Sequence, residues 1–240
     1  MSPASSNTPD KVVPRVAMLL AAGKGERMRP LTLTTPKPLL RVAGKPLIDY
    51  HIESLVKAGV DNIVINVSWL GQQIVEHCGD GGRWDCAIRY SREEEPLETA
   101  GGIIQALPLL GDKPFLLVNA DIWTDCDFRD LLQHSLRPGT ANLQLVDNPE
   151  HNPAGDFSLH EGRVTAAGKD SLTYAGIGLY DPRFFDGYAP GKRPLLPLLE
   201  QAILERRLFA QHYRGRWTDV GTPSRLEQLE RELAKKQDKT

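Results

Sequence analysis

The first half of the chain alternates between two hydrophobic patterns. Short, largely apolar segments are typical of strands buried in the middle of a sheet. These predicted strands are residues 16–21, 62–67, 86–91 and 114–120. Between them, apolar residues recur at helical spacing. These predicted helices are residues 46–57, 70–77 and 100–110. The chain therefore begins as a series of strand–helix units.

Such alternation predicts an α/β fold, namely a doubly wound, mostly parallel, Rossmann-like sheet with helices on both faces. The second half departs from this pattern. Its predicted strands are residues 142–146, 156–160, 163–166, 174–180 and 209–213, and its helices are residues 194–207 and 223–236. Glu161 and Gly162 are typical of a tight hairpin turn. We expect this half to complete the sheet and to add a small β appendage that covers a second substrate.

The bulk composition argues against several classes of protein. The 29 basic and 31 acidic residues give a net charge of −2, which does not favour a nucleic-acid surface. The longest apolar runs are too short to span a membrane, and the polar first residues lack a signal-peptide core. Residues 1–14 are expected to form a disordered tail because they can bury little apolar area. We therefore expect a cytoplasmic protein without membrane or nucleic-acid partners.

Cysteines and histidines show no spacing typical of a metal site. The three cysteines contain no C-x-x-C pair, and we expect them to be reduced and structural. The six histidines contain no pair with metal-ligand spacing. We interpret them as structural or surface residues.

A glycine-rich loop follows the first predicted strand, with the sequence LAAGKGERM at residues 20–28. Glycines allow backbone N–H groups to approach phosphate oxygens, and Lys24 and Arg27 supply positive charge. The loop matches neither the Walker nor the Rossmann fingerprint, and alone it could be a simple turn between strand and helix. Lys37 stands between Pro36 and Pro38, which restrict the backbone around it and suit a fixed phosphate-binding charge.

These two segments together resemble the signature of the sugar-1-phosphate nucleotidyltransferases. The resemblance continues through Asn-Ala-Asp at residues 119–121 and Trp-Thr-Asp-Val-Gly-Thr at residues 217–222, and it covers residues 16–223. Asp121 follows a predicted buried strand, at the sheet edge where α/β proteins bind their ligands. The resemblance implies one domain over residues 15–240, with a nucleotide-binding half at about 15–140 and a sugar-binding half at about 141–240.

Particular roles follow from this resemblance. Catalysis would depend on Arg27, Lys37 and Asp121. The nucleotide would contact Ala22, Gly23, Gly25, Arg27, Thr99, Gly101 and Gly102. The sugar would contact Asn142, Gly155, Tyr174 and Gly176. Asp121 and Asp219 would bind Mg²⁺, an ion that prefers one or two carboxylates together with phosphate oxygens. For several of these positions a structural alternative is open: Thr99 could be a helix cap, and the glycines could permit bulges or close packing.

Relatives that act on plain hexoses often carry a glutamate-lysine-proline segment where this chain has GKDS at residues 168–171. The remaining motifs look most like the uridylyltransferases of Gram-negative cell-wall recycling. We therefore expect UTP and N-acetylmuramic acid 1-phosphate as substrates, with Lys169 or Arg193 contacting the lactyl carboxylate. A mannose-1-phosphate guanylyltransferase, or a cytidylyl enzyme, is the alternative within the superfamily. A binding module without catalysis is the alternative from another class, and the enzyme is expected to be a monomer or small homo-oligomer.

Overall fold

A mixed sheet of nine strands forms the centre of the protein in the computed structural model, which describes residues 15–237. The predicted tail at residues 1–14 lies outside the described residues. The strands of this sheet and of two separate two-stranded sheets are β1 (Val16–Leu20), β2 (Arg41–Val42), β3 (Lys45–Pro46), β4 (Asn62–Val67), β5 (Ala87–Arg92), β6 (Phe115–Asn119), β7 (Ile122–Thr124), β8 (Ala141–Val146), β9 (Phe157–His160), β10 (Arg163–Ala166), β11 (Ser171–Tyr180), β12 (Leu208–His212) and β13 (Trp217–Asp219). The two-stranded sheets pair β2 with β3 and β7 with β13. The helices are α1 (Leu47–Lys57), α2 (Gly71–Cys78), α3 (Glu98–Leu110), α4 (Phe128–Leu132), α5 (Leu196–Leu204) and α6 (Pro223–Gln237).

Helices cover both faces of the sheet, as the sequence predicts. The four strands β5, β4, β1 and β6 are neighbours in this order and run parallel. Successive β1 residues point to opposite faces, so Leu19 packs in the core with α1 and α2 while Met18 packs in the core with α3 and α5. Both side chains are fully buried. The alternation of apolar strands and amphipathic helices therefore specifies a three-layer core.

The parallel order predicted for most of the sheet is limited to those four strands and to the pair β8–β12. β11 runs antiparallel to both β6 and β8, and β9 and β10 form an antiparallel hairpin. The hairpin turns at Glu161 and Gly162, whose φ angles of 48° and 77° are those of the predicted tight turn. Antiparallel neighbours need no crossover helix, which is why the strand–helix alternation stops in the second half.

Five strands of the nine-stranded sheet, β8 to β12, close into a ring that corresponds to the predicted β appendage. β8 pairs with β12, β12 with β10, β10 with β9, and β9 with the first residues of β11. The pairing of β11 with β8 shifts register between Tyr174 and Gly178. This irregularity lets the first part of β11 belong to the ring while its last part lies beside β6.

A small two-stranded ribbon joins the end of the chain to the first half. β13 pairs antiparallel with β7, which directly follows the strand end at Asp121. α6 then packs on a separate apolar cluster that contains Met28, Val42 and Leu47. No helix in the described part of the chain combines the length and apolar character that a membrane span requires.

Several boundaries differ from those predicted, and two of them concern helices near the site or the strand ring. The helix predicted at residues 194–207 ends at Leu204, because Arg206 takes a left-handed conformation with φ 57° and the Arg207 N–H donates back to the Ala202 carbonyl. The N-cap of α3 is Leu97, so the alternative of Thr99 as a helix cap is wrong. Thr99 is the second residue of the helix, and no side chain forms a capping hydrogen bond there.

Candidate active site

A cavity of about 500 Å³ opens at the carboxyl end of β1, and we name it the loop cavity because much of its lining comes from residues 20–28. Gly25 has φ 61°, and a Cβ at this position would lie 2.9 Å from Cγ2 of Thr32. The Thr32 hydroxyl donates a hydrogen bond of 2.7 Å to the Gly25 carbonyl. Glycine is therefore required at position 25. Gly23 also lines the cavity, and a Cβ there would meet nothing within 4 Å, which leaves its backbone open to a ligand.

Buried hydrogen bonds connect this loop to residues 93–97 on the opposite wall. The Ala21 N–H donates to Oδ1 of Asn66 at 2.8 Å, and Nδ2 of Asn66 donates to Oε1 of Glu93 at 2.7 Å. The other Glu93 oxygen accepts from the Leu97 N–H at 2.9 Å. Ala22 follows this anchor and lines the cavity, 7% exposed. The two walls of the cavity are therefore held at a fixed separation.

Lys37 is a buried cation in the wall of the loop cavity. The residue is 8% exposed, and it begins a short 3₁₀-helix directly after Pro36. Its Nζ lies 2.6 Å from Oδ2 of Asp121, whose side chain is 40% exposed. A buried ammonium requires a negative partner, and an anionic ligand entering the cavity would share that role with the carboxylate.

A second cavity of about 350 Å³ adjoins the first, and we name it the aspartate cavity because Asp121 and Asp219 both line it. The two cavities share Arg27, Asn119 and Asp121 in their linings. The aspartates meet through the β7–β13 ribbon, in which Asp219 pairs with Ile122 and the Val220 N–H donates to the Asp121 carbonyl at 2.8 Å. Ligands in the two cavities would therefore face each other across Asp121.

The carboxylate of Asp219 has two basic neighbours that the sequence did not predict. Nη1 of Arg225 donates to its Oδ1 at 3.0 Å, and Nε2 of His151 lies 3.0 Å from the same oxygen. Gly221 makes the arginine contact possible, because a Cβ there would lie 2.0 Å from Nη2 of Arg225. His151, interpreted from the sequence as a structural or surface residue, is exposed and lines the aspartate cavity. The aspartate it contacts is far from it in sequence, so no local spacing identifies it.

Arg27 belongs to both cavities and is solvent-exposed. No carboxylate among residues 15–237 lies within ion-pair distance of its guanidinium. The 3₁₀-helix Glu26–Met28 holds its backbone, because Met28 is buried beneath α6. Arg27 is therefore a cation that is anchored at its Cα and free to pair with a ligand.

His51 is a buried residue that contacts the strand next to Asp121. Its side chain is buried, and Nε2 donates to the Ile122 carbonyl at 2.8 Å, which fixes the residue after Asp121. Burial lowers the pKa of His51 to about 4, although its hydrogen bond to the Ile122 carbonyl and the charge of Asp121 act in the opposite direction. The imidazole is therefore neutral near pH 7 and donates through a defined nitrogen.

The predicted sugar contacts are divided between this site and other places. Tyr174 and Gly176 line the aspartate cavity. Gly176 has φ 71°, and a Cβ there would lie 2.6 Å from Nδ2 of Asn119, so the irregular part of β11 requires glycine. The Tyr174 hydroxyl instead lies 3.3 Å from the buried Tyr180 hydroxyl, and burial raises the pKa of Tyr174 to about 12. Tyr174 therefore cannot offer its hydroxyl to a ligand in this conformation.

Asn142 and Gly155 lie outside both cavities. Asn142 is the second residue of β8, at the opposite end of the sheet from the site, and lines a separate cavity of about 330 Å³. Gly155 has φ 66°, and a Cβ there would lie 2.8 Å from Oδ1 of Asn148, so glycine has a packing role. The sequence could not reveal this because the direction of β8, which runs antiparallel to β11, is decided by long-range pairing.

Thr99 lines the loop cavity, whereas Gly101 and Gly102 do not. A Cβ at Gly101 would lie 2.4 Å from the Gly191 carbonyl oxygen, and one at Gly102 would lie 2.6 Å from Oε1 of Glu93. These two glycines allow close packing of α3 on its surroundings. They support the cavity wall from behind its lining.

Comparisons with known proteins identify the family. The sequence profile described as nucleotidyl transferase matches residues 16–158. The chain is 51% identical over 222 residues to N-acetylmuramate alpha-1-phosphate uridylyltransferase of Neisseria meningitidis, covering 89% of this chain and 96% of that protein. The chain belongs to the nucleotidyl transferase family. It is therefore an enzyme whose substrates are a nucleotide and a phosphorylated sugar.

More distant nucleotidyltransferases preserve the same architecture. The chain is 31% identical to the mannose-1-phosphate guanylyltransferase catalytic subunit beta of Danio rerio, covering 86% of this chain but 61% of that protein. A solved structure from Bacillus anthracis, crystallised with sucrose, superposes with a TM-score of 0.80 at 20% identity and covers 90% of this chain and 94% of its own. The fold of this nucleotidyltransferase is thus that of its structural neighbours, a mixed sheet with helices on both sides.

Proposed function

We propose that this nucleotidyltransferase transfers a uridylyl group from UTP to N-acetylmuramic acid 1-phosphate. The products are UDP-N-acetylmuramic acid and pyrophosphate. The observation that carries the proposal is the pair of adjoining cavities, because Arg27, Asn119 and Asp121 belong to both. The identity of 51% with the Neisseria uridylyltransferase supports this choice of substrates.

The reaction joins two anions, so positive charge at their meeting point has the largest effect on rate. An oxygen of the sugar phosphate attacks the α-phosphorus of UTP, and the bond from that phosphorus to the bridging oxygen of pyrophosphate breaks. Lys37 lies beside Asp121 between the two cavities and would stabilise the charge around the α-phosphate. Arg27 would bind the departing phosphates, and the backbone at Gly23 and Gly25 would contact the nucleotide. No nucleophile from the protein is required.

The residues at the ribbon fit a magnesium ion. Asp121 and Asp219 supply two carboxylates to one cavity, and magnesium prefers such a set completed by phosphate oxygens and water. Among the described residues, no group of three or more histidine, cysteine, aspartate or glutamate side chains could hold a metal ion. Phosphate oxygens of the substrates and water would therefore have to complete the coordination. When bound, the ion would neutralise phosphate charge. Arg225 and His151 would orient the Asp219 carboxylate.

A muramic sugar differs from a plain hexosamine by its lactyl carboxylate. Lys169 and Arg193, which the sequence offered as partners, line neither cavity. The basic groups of the aspartate cavity are Arg27 and His151. Because Arg27 is assigned to phosphate, we assign the lactyl carboxylate to the neighbourhood of His151.

We propose that residues 15–240 act as one domain, that the enzyme is a monomer or small homo-oligomer, and that it works in the cytoplasm on a step of peptidoglycan recycling. All three cysteines are free, as is usual in a reducing compartment.

A substrate panel tests this function. Pyrophosphate release would be measured with UTP, CTP, GTP and dTTP against N-acetylmuramic acid 1-phosphate, N-acetylglucosamine 1-phosphate and mannose 1-phosphate. The expected result is the highest kcat/KM for UTP with the muramic sugar. A preference for GTP with mannose 1-phosphate would replace these substrates and leave the family unchanged.

A further inference from the structure

A third cavity lies on the ring of strands, and we name it the ring cavity. It is formed by β8, β12, the hairpin turn at Gly162 and residues 135–140, which follow α4. Its volume of about 330 Å³ is at the lower end of the range of roughly 300–1,000 Å³ that small-molecule sites have. None of its lining residues lines the loop cavity or the aspartate cavity. A ligand here would therefore occupy a separate site.

Asn142 contributes an unsatisfied amide to the wall of the ring cavity. All six residues of β8 are buried, and Ala141, Leu143 and Leu145 pack in one apolar core. Asn142 alternates with them along the strand, so its side chain points to the opposite face. It is 8% exposed, and no donor among the described residues bonds to its buried Oδ1. Since buried amides normally have partners, this one favours a ligand that exchanges hydrogen bonds with it.

The strand register places an aromatic ring beside this amide. Phe209 pairs with Asn142 across β8 and β12, so the two side chains lie on the same face of the sheet. The Arg163 guanidinium carbon lies 5.3 Å from the centre of the Phe209 ring, and Arg163 does not line the ring cavity. Phe209 therefore gives the cavity an apolar surface next to a polar group.

A fixed turn adds a cation to the lining. Thr140 donates from its N–H and from its hydroxyl to the Arg137 carbonyl, at 3.2 and 2.7 Å. The Gly139 carbonyl accepts from Nη1 of Arg207 at 2.6 Å, and the Gly139 N–H donates to Oδ1 of Asp181 at 3.0 Å. These bonds hold the backbone of the turn.

The charge of Arg137 is available to a ligand. Arg137 is exposed, and no carboxylate among residues 15–237 lies within ion-pair distance of its guanidinium. Among the described residues that line the ring cavity, only Arg137 is charged. One guanidinium balances one carboxylate, whereas a phosphate dianion would keep an uncompensated charge. The cavity therefore favours an anion with a single charge.

We propose that the ring cavity is a second ligand site, which binds a sugar that carries a carboxylate. The Arg137 guanidinium pairs with the carboxylate, and the Asn142 amide bonds to a hydroxyl or acetamido group of the sugar. A half-turn of that amide about χ2 brings either of its ends to the cavity without moving the backbone. The C–H face of the sugar ring packs on Phe209. A plain hexose lacks the charge, and a simple carboxylic acid lacks the ring.

A titration that resolves single backbone amides by NMR tests this proposal on the full chain. ¹⁵N-labelled protein without nucleotide would be titrated with N-acetylmuramic acid, which lacks the phosphate that the transfer reaction needs. N-acetylglucosamine and lactate are the control ligands, because each has one part of the probe. The amides of Asn142, Phe209 and Gln211 report on the ring cavity, and those of Asp121 and Gly176 report on the active site.

Three variants accompany the titration. Arg137→Gln removes the cation, and Asn142→Leu removes the amide at similar volume. Arg231→Gln is the matched control, because Arg231 is an exposed arginine of α6 that lines none of the three cavities. The melting temperature of each variant shows whether it folds.

We expect saturable shifts of the ring-cavity amides with N-acetylmuramic acid. The Kd should be about tenfold weaker in Arg137→Gln and in Asn142→Leu, and about tenfold weaker for each control ligand, because each loses a charged or buried hydrogen bond. Arg231→Gln should bind as the wild type does. If Asn142→Leu does not fold, Arg137→Gln decides alone, since its side chain is exposed.

Three results would overturn the inference. They are shifts confined to the active-site amides, equal affinity for N-acetylglucosamine, and an unchanged Kd in Arg137→Gln. The titration contains no nucleotide and measures no turnover, so its outcome is independent of the substrate panel that tests the proposed function.

Discussion

The two adjoining cavities are built in different ways. The loop cavity is formed by parallel strand ends and by short segments with strict local requirements, such as Gly25 against Thr32 and Lys37 after Pro36. The aspartate cavity is assembled from β7, β11, β13 and the loop around His151, which come from distant parts of the chain. The first can be recognised in a stretch of sequence, whereas the second exists only after long-range pairing.

The two cavities also differ in their cations. Lys24, Arg27 and Lys37 line the loop cavity, and of these three only Arg27 also lines the aspartate cavity. Lys37 and Asp121 form the contact between the sides at 2.6 Å. The comparison therefore predicts that substitutions on each side should affect different kinetic constants, and that substitutions at the contact should affect both.

Replacing either aspartate should have the largest effect on turnover, because each substitution removes a carboxylate proposed to bind magnesium while nearly preserving the shape of the side chain. We expect Asp121→Asn and Asp219→Asn to lower kcat by about 10²–10³-fold. Asp121 should be the more sensitive, since it lines both cavities and contacts Lys37. Pyrophosphate release at saturating magnesium is the measurement, with the melting temperature as control for folding. A variant with near wild-type turnover would show that its carboxylate has no role with the metal.

Removing each cation should separate the chemical step from binding. Lys37→Ala should reduce kcat about 100-fold with a smaller change in the KM for UTP, because this charge acts as the α-phosphate is attacked. Arg27→Ala should raise that KM about tenfold and also lower kcat, since Arg27 is exposed and contacts phosphates in the ground state. Steady-state kinetics with each substrate varied would check both expectations. A raised KM with unchanged kcat in Lys37→Ala would contradict the first.

Glycine substitutions should distinguish the two cavities. Gly25→Ala should raise the KM for UTP and Gly176→Ala the KM for the sugar phosphate, and each should lose about 1–3 kcal/mol of stability because φ is positive and space is lacking. Gly23→Ala is the matched case without steric contact, so it should keep its stability while the KM for UTP rises. Urea denaturation and substrate titrations measure these quantities. Equal effects of Gly25→Ala and Gly176→Ala on both KM values would remove the distinction.

The smallest effect concerns stability and pH. His51 has a folded pKa of about 4, below its usual 6.5, so the unfolded state binds the proton more tightly. The contribution of neutral His51 to the free energy of unfolding is complete above pH 6.5. This contribution is lost as the pH falls toward 4, and the loss is roughly 3 kcal/mol. His51→Gln preserves a donor for the Ile122 carbonyl but does not titrate. The difference in unfolding free energy between the two proteins, measured from pH 7.5 to 4, should therefore change in this window, and a constant difference would refute the assignment.

Local features of the fold and the site could be predicted from the sequence. The helices and strands of the first half, the hairpin at Glu161 and Gly162, the loop with Gly25, and Lys37 depend on residues that are near each other in the chain. The ring of strands and the antiparallel placement of β11 could not be predicted, because pairing partners are decided by tertiary packing.

The residues that were missed share the same cause. The roles of His151 and Arg225 depend on their contacts with Asp219, and Asn142 lies away from the site because it stands near the start of β8, at the other end of the sheet. Long-range geometry rather than residue type separates these cases from Lys37.

The β7–β13 ribbon has a consequence for how the enzyme is made. During translation the strands β1, β4 and β5 with their helices can form soon after they leave the ribosome, because their contacts are local. Asp219 reaches Asp121 only when Trp217–Asp219 has been synthesised and has paired with β7. A nascent chain, or one cut before this ribbon, would retain the glycine-rich loop without the second carboxylate. Incomplete products of translation would therefore be unable to consume nucleotide, even where their first half is already folded.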